Sequence, residues 1–293
     1  MTPTDDMSLL RSPIILLGTQ RSGTTWMGRL LSNLPGVAYW VEPRHVWVRG
    51  NAYKPDDVLL ASDARPRVIR RIHKTFDAYV RRHGGNRLLE KTPSNCARVP
   101  FIHSVYPEAR IILIVRDGRS VISSTEQIEK KATPWGKIHD RLIATPPWEW
   151  PANAGRLRDS LVARATGRPI RFWGSRPPGW REWVGKYPVH VIRAKQWAST
   201  IANAWESCHA LPKGNWSWVR YETLVHRPKE ELSRVFEELD ITDVGDTLER
   251  VSREASPERT DKWRERLDDR TLEEIRPSME PTMATLGYEW DST

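Results

Sequence analysis

Two cysteines, Cys96 and Cys208, are all that this chain of 293 residues contains. They are too few for a disulfide framework and are not spaced as a metal site, so a reducing cytoplasm is the expected setting. No apolar run is long enough to cross a bilayer, and Met1 to Ser12 is polar and acidic where an export signal would be basic and then apolar. A chain with neither export signal nor transmembrane segment is expected. Internal repeats and low-complexity segments are missing too, which leaves one large domain, residues 1–293, with a surface insertion. Acidic residues are the scarcer charge: 37 Asp and Glu stand against 46 Lys and Arg, for a net charge of +9. That excess implies an anionic partner, whether a nucleotide, a sulfated or phosphorylated acceptor, nucleic acid or a membrane surface.

The absence with the sharpest consequence is a single lysine. Residues 18 to 25 read Gly-Thr-Gln-Arg-Ser-Gly-Thr-Thr, so that Gly18, Gly23 and Thr25 fit the phosphate-loop pattern G-x-x-x-x-G-K-[ST] while Thr24 takes the lysine position. A strand-length apolar run, Pro13 to Leu17, precedes the loop, and Trp26, Met27, Leu30 and Leu31 follow at helical spacing. In that context the amides of Ser22, Gly23, Thr24, Thr25 and Trp26 are expected to face an anion from the positive end of a helix. A nucleotide triphosphatase also needs the lysine and a Walker B aspartate. The next strong apolar run, Ile111 to Val115, ends instead in Arg116.

Further along, Val37 to Val41, Arg87 to Lys91 and Arg110 to Val115 read as strands. Residues 55–83, 97–106, 121–129 and 195–210 read as helical, and Pro228 to Leu239 as an amphipathic helix. Val189 to Ile192 reads as a short strand, and Ser217 to Tyr221 as another. Strands alternating with helices predict an α/β fold of phosphate-loop type, a three-layer sandwich whose central parallel sheet is flanked by helices. Its ligand should lie beyond the carboxyl ends of the strands, where the loop at 18–25, Glu42, Lys91 and Arg116 converge. Residues 131–188 hold many prolines and six of the fifteen tryptophans (Trp135, Trp148, Trp150, Trp173, Trp180 and Trp183). They read either as an acceptor surface or as a satellite core under a long loop.

Arg21-Ser-Gly-Thr-Thr-Trp26 resembles the 5′-phosphosulfate loop of sulfotransferases that use 3′-phosphoadenosine 5′-phosphosulfate (PAPS). Arg116-Asp-Gly-Arg-Ser-Val-Ile-Ser-Ser124 resembles their 3′-phosphate motif. Further similarity lies in Glu90 to Asn95, Trp173 to Trp180, Arg220 to Val225, Arg259 to Trp263 and Leu286 to Tyr288. Glu42, where the small-phenol enzymes carry histidine, brings the likeness nearest to the bacterial and protein-tyrosine-type branch. Ile128 departs from that branch, which has a basic residue there.

The resemblance implies Glu42 as general base, with His45 as its competitor, and Lys91 with Arg21 on the departing bridging oxygen. It implies Arg116, Ser124 and Lys262, assisted by Arg259, on the 3′-phosphate, and Tyr221 and Trp197 against the adenosine. PAPS would be the co-substrate, no metal would be required, and the acceptor would be a hydroxyl, with carbohydrate or glycolipid favoured. A phosphate-loop kinase or hydrolase is the competing enzymatic reading, and a PAPS-binding scaffold without activity is another. A nucleic-acid-binding protein with the arginines at 64–82 as its patch is a third, although no compact motif for base readout is present, so no nucleic-acid partner is expected.

Overall fold

Five apolar runs become strands: β1 (Arg11–Leu17), β2 (Val37–Val41), β3 (Arg87–Lys91), β4 (Arg110–Val115) and β5 (Trp216–Arg220). The computed structural model describes residues 11–129, 172 and 174–290. All pairings among the five strands are parallel, in the order β2, β3, β1, β4, β5. Parallel neighbours require crossovers, and helices supply them. In chain order these are α1 (Thr24–Leu31), α2 (Arg44–Trp47), α3 (Pro66–Arg82), α4 (Val99–Val105), α5 (Gly118–Glu129), α6 (Trp180–Trp183) and α7 (Val189–His209). Then follow α8 (Tyr221–His226), α9 (Pro228–Glu238), α10 (Thr247–Glu254) and α11 (Asp269–Thr285).

Because side chains alternate along a strand, each central strand feeds both faces of the sheet. Ile14, Leu16, Leu89, Ile112 and Ile114 pack with Met27 and Leu30 of α1 and with Leu232, Val235 and Phe236 of α9. Ile15, Leu17, Leu88, Ile111 and Leu113 pack on the other side with Ile72 and Phe76 of α3, Ile201 of α7 and Met279 of α11. Apolar residues on both faces of one sheet make the three-layer sandwich expected of this pattern. Among the described residues no helix is long and apolar enough to cross a membrane.

One element differs in kind from expectation. Val189 to Ile192 is the first turn of α7, not a strand. Its β-branched residues favour extended structure locally, but Val191, Ala194, Ala198, Ile201, Ala204 and Cys208 are buried at three- to four-residue spacing along one helix. That longer period dominates the local preference. Tyr221 likewise begins α8 and does not end β5. Of the tryptophan-rich segment, Trp135, Trp148, Trp150 and Trp173 lie outside the described residues.

The chain returns to the core after that segment through a buried carboxylate. Asp57 is 1% exposed. Its Oδ1 accepts from Arg44 at 2.8 Å and from Arg98 at 3.1 Å, and its Oδ2 accepts from the backbone amide of Arg176 at 2.9 Å. The Asp57 amide in turn donates to the Arg176 carbonyl at 2.8 Å. Burial lowers the Arg98 guanidinium to about 10, against the opposing pull of Asp57. Removing one partner of such a group leaves an uncompensated buried charge. Asp57→Ala is therefore expected to destabilise the fold by about 3–5 kcal/mol in urea unfolding, and to expose the chain near Arg176 to limited proteolysis.

Candidate active site

After β1 the chain turns toward β2, and after β4 it turns the other way toward β5, so a crevice opens between the carboxyl ends of the adjacent strands β1 and β4. Into it project the loop at 18–25 and the residues following Val115. Gly18 has φ 150° and an added Cβ would lie 2.8 Å from the Ile114 carbonyl oxygen, while at Gly23, with φ 95°, it would lie 2.6 Å from the Tyr221 ring. Glycine is required at both, by close approach and by backbone conformation. The Gly18 amide donates to Cys96 Sγ at 3.2 Å, which anchors the loop on a thiol that burial pushes up to about 12.

Gly23 caps α1 with no side chain over the first turn and no acidic residue in it. The amides of Thr24, Thr25 and Trp26 therefore begin the helix without side-chain acceptors, as an anion site requires. Ser22 departs from the expected arrangement. Its amide and its hydroxyl both donate to the Thr19 carbonyl, at 3.2 and 2.7 Å, so it braces the loop from within. Thr24 is buried and Thr25 exposed, which leaves Thr25 as the hydroxyl on the open side.

Arg21 stands at φ 70°, a left-handed conformation that favours glycine. Its Nε donates to Ser124 Oγ at 3.0 Å, and Arg116 Nη1 donates to the Arg21 carbonyl at 3.0 Å. Three residues expected at the donor site thus meet across the crevice, and Arg116 also lies 4.4 Å over the Tyr221 ring. Burial, and then the charge of Arg116, lower the Arg21 guanidinium. Two cations sharing one crevice create a field that an anion would relieve.

At the end of β2, Glu42 is the second non-glycine residue in the left-handed region, at φ 55°. Its carboxylate accepts from Lys91 Nζ at 2.9 Å; the Lys91 side chain is 4% exposed and that of Glu42 43%. Lys91 lies beside Leu16 of β1 and Val41 of β2 in the sheet register, facing the loop from the neighbouring strand. The adjacent charged residues that could otherwise pair with these two groups are occupied elsewhere. Arg44 is held by Asp57, and Glu90 is buried and accepts from Asn95 Nδ2 at 2.8 Å and from the Thr92 hydroxyl. His45 packs edge-on against Trp40, with centroids 5.9 Å apart, and burial lowers its imidazole.

Comparison with known proteins bears on this arrangement. Residues 13–149 match the sulfotransferase family. Over this stretch, just under half of its length, the chain is similar to that family. Nodulation protein NoeE of Sinorhizobium fredii (strain NBRC 101917 / NGR234) is 24% identical over 247 residues, 78% of this chain and 50% of that protein. The chain thus spans about half the length of that curated relative. The sulfotransferase domain from the curacin biosynthetic pathway superposes with a TM-score of 0.56 at 14% identity, covering 96% of this chain and 99% of that one. The corresponding domain of the Synechococcus PCC 7002 olefin synthase gives 0.51 at 15% identity, over 97% of each. These structural likenesses concern the fold.

Behind the crevice, the chain joins motif pieces that are far apart in sequence. The Asp117 amide donates to Glu222 Oε1 at 3.0 Å, and Tyr288 donates its hydroxyl to Glu222 Oε2 at 2.7 Å. Arg220 donates to the Leu286 carbonyl. Arg119 is clamped by Asp117, donates to the Trp290 carbonyl at 2.6 Å and lies 4.1 Å over the Trp263 ring. Ser120 donates to the Thr260 carbonyl at 2.6 Å, which docks the segment bearing exposed Lys262 onto α5. The motifs at 220–225 and 286–288 therefore buttress the turn that carries Arg116. Trp197 is a correction: it is 2% exposed and packs in the core against Gly118, so it is no adenosine platform. Glu222, Tyr288 and Asp57 escaped the sequence reading as individuals, because their partners lie far away along the chain.

Burial raises the Glu90 carboxyl to about 7 in the folded chain, from an ordinary value of 4.5. Between those values the folded state keeps a proton that the unfolded state has lost, so stability falls as pH rises through that window and levels off above it. Glu90→Gln is expected to remove this slope, about 1.4 kcal/mol per pH unit at most, in urea unfolding measured across the window against wild type. An unchanged slope would show that Glu90 titrates normally. Arg21→Gly relieves the left-handed strain and is expected to raise stability by about 1 kcal/mol in thermal unfolding, while weakening anion binding.

Proposed function

We propose that the chain transfers a sulfuryl group from PAPS to an acceptor hydroxyl. The observation that carries this reading is the meeting of Arg21, Ser124 and Arg116 beside the uncapped start of α1, with Glu42 and Lys91 on the next strand ends. The donor presents a 5′-phosphate, a sulfate beyond it and a 3′-phosphate. In our reading the amides of Thr24, Thr25 and Trp26 hold the first. Arg116, with Ser124 and Lys262, holds the last, and Tyr221 supports Arg116 from beneath. The planar guanidinium fork suits a terminal phosphate.

In the transfer the acceptor oxygen forms a bond to sulfur as the bond from sulfur to the bridging oxygen breaks. The acceptor proton passes to the Glu42 carboxylate, and the departing electron pair stays on the 5′-phosphate of adenosine 3′,5′-bisphosphate. Arg21 and Lys91 meet that developing charge, as preorganised donors do. Lys91 changes partner in this scheme, from Glu42 in the resting site to the bridging oxygen. Glu42 is thereby freed to accept the proton. These cations supply the charge the step requires, so the scheme calls for no metal.

A carbohydrate or glycolipid hydroxyl is the favoured acceptor class. Its support is the net charge of +9, suited to acidic glycans, and tryptophan at the return of the insertion. Trp180 contributes less than its exposure promises. Its ring carries the guanidinium groups of Arg176 and Arg181 at 4.5 and 4.8 Å, and its Nε1 donates to the Pro55 carbonyl. A cytoplasmic setting belongs to the same proposal, supported by two free, buried thiols.

Calorimetry of adenosine 3′,5′-bisphosphate against ATP with Mg²⁺ tests the donor. The bisphosphate should bind more tightly, and Arg116→Ala should weaken it without unfolding the chain; preference for ATP would refute the reading. Glu42→Gln should retain bisphosphate affinity while lowering kcat by roughly 10² to 10⁴ in a radiolabelled PAPS assay over an acceptor panel. Unchanged turnover would move the base to another residue.

A further inference from the structure

Helix α3 carries six cations, Arg67, Arg70, Arg71, Lys74, Arg81 and Arg82, and one carboxylate, Asp77. All six cations are exposed, whereas the Asp77 side chain is 14% exposed and lies 4.0 Å from Arg81. At 100° per residue the cations fall within a sector roughly 120° wide. That sector lies opposite the buried stripe of Val68, Ile72, Phe76 and Val80. A seventeen-residue helix is roughly 25 Å long, so its charge points straight outward as one basic band. Asp63, the acidic group just before the helix, is occupied by Lys54 at 2.5 Å and by the Leu60 amide.

The large apolar side chains exposed among the described residues are Val41 (51%), Tyr53 (71%) and Leu60 (52%). All three fall between the end of β2 and the start of α3. The loop that holds Tyr53 and Leu60 is stitched to that helix start: Arg65 donates to the Gly50 carbonyl at 2.7 Å, and Asn51 Nδ2 to the Asp63 carbonyl at 3.3 Å. Since α3 crosses from β2 to a parallel neighbour, its first turn lies at the carboxyl edge of the sheet. Val41 precedes Glu42 at that same edge. A soluble polyanion would be served by the basic band alone. Apolar side chains beside a basic helix are what an anionic bilayer surface engages, charge at the headgroups and side chains at the acyl boundary.

We propose that the outer face of α3, with Tyr53 and Leu60, docks this protein on an anionic phospholipid surface, with the carboxyl edge of the sheet beside the bilayer. The docking stands independently of the donor assignment. Only its corollary, that acceptors held at a membrane surface reach Glu42 most readily, rests on that reading.

Vesicle co-sedimentation of the full chain tests it, with phosphatidylcholine alone and with an equal part of phosphatidylserine. Wild type is expected to partition at least ~10-fold more strongly onto the anionic vesicles, and to be released by salt. Arg67→Glu, Arg70→Glu, Arg71→Glu and Lys74→Glu combined should remove at least ~10-fold of that binding. Tyr53→Ser with Leu60→Ser should also weaken it, with bisphosphate affinity unchanged in both variants. Should the fourfold variant lose its thermal transition, Arg70→Gln with Lys74→Gln gives the same test. Equal binding to both vesicle types, or binding that neither variant alters, overturns the proposal. So does tight binding of heparin without vesicle binding, which would assign the face to a soluble polyanion. Calorimetry with the bisphosphate reports on the donor site separately, so each idea fails by its own measurement.

Discussion

Like charges held together need something to hold them, and the architecture of this protein is arranged around that constraint. Arg21 and Arg116 share one crevice, joined by a hydrogen bond from one guanidinium to the other residue's carbonyl. The arrangement persists because both are fixed from outside: Arg21 by its left-handed backbone and by Ser124, Arg116 by the Tyr221 ring beneath it. The turn behind them is braced by Glu222, Tyr288 and Arg119. A positive site assembled in advance loses little to reorganisation when an anion arrives, and such preorganisation makes fixed donors effective.

The Glu42 and Lys91 pair shows the same economy with opposite charges. Burying the lysine would be costly without a partner, and the glutamate supplies one while remaining open to solvent. Glu42 holds a backbone conformation that a side chain of its kind seldom adopts. Such outliers persist where the surrounding structure fixes them, and they concentrate at functional positions. Two of the non-glycine examples among the described residues, Arg21 and Glu42, are residues to which chemistry had already pointed.

Much of this was legible in the sequence, and the reason is periodicity. The strand runs are short, those of β1 and β4 are apolar on both faces, and the glycine loop sits between one of them and a helical pattern, so the sheet and its carboxyl edge could be located from residue type alone. Gly18 and Gly23 announced themselves by spacing, Arg116 by its place at a strand end, and Ser124 through the resemblance of residues 116–124 to the 3′-phosphate motif. What could not be read were properties that depend on distant partners. Ser22 turns its donors inward to Thr19, Trp197 disappears beneath Gly118, and Val189 to Ile192 takes its conformation from seventeen further residues of helix. Asp57, in an unremarked loop, gathers Arg44, Arg98 and the Arg176 backbone from across the chain.

That last junction gives the chain a second anchor, remote from the turn that carries Arg116. Helix α5 leaves the core with Ser120 and Arg119 already tied down, and the chain is captured again at Arg176 by a carboxylate inside the fold. The described residues on either side of the intervening stretch are therefore each tied to the core. The turn that carries Arg116 and the return at Arg176 are thus fixed by separate sets of contacts, so a change that loosens one anchor need not loosen the other.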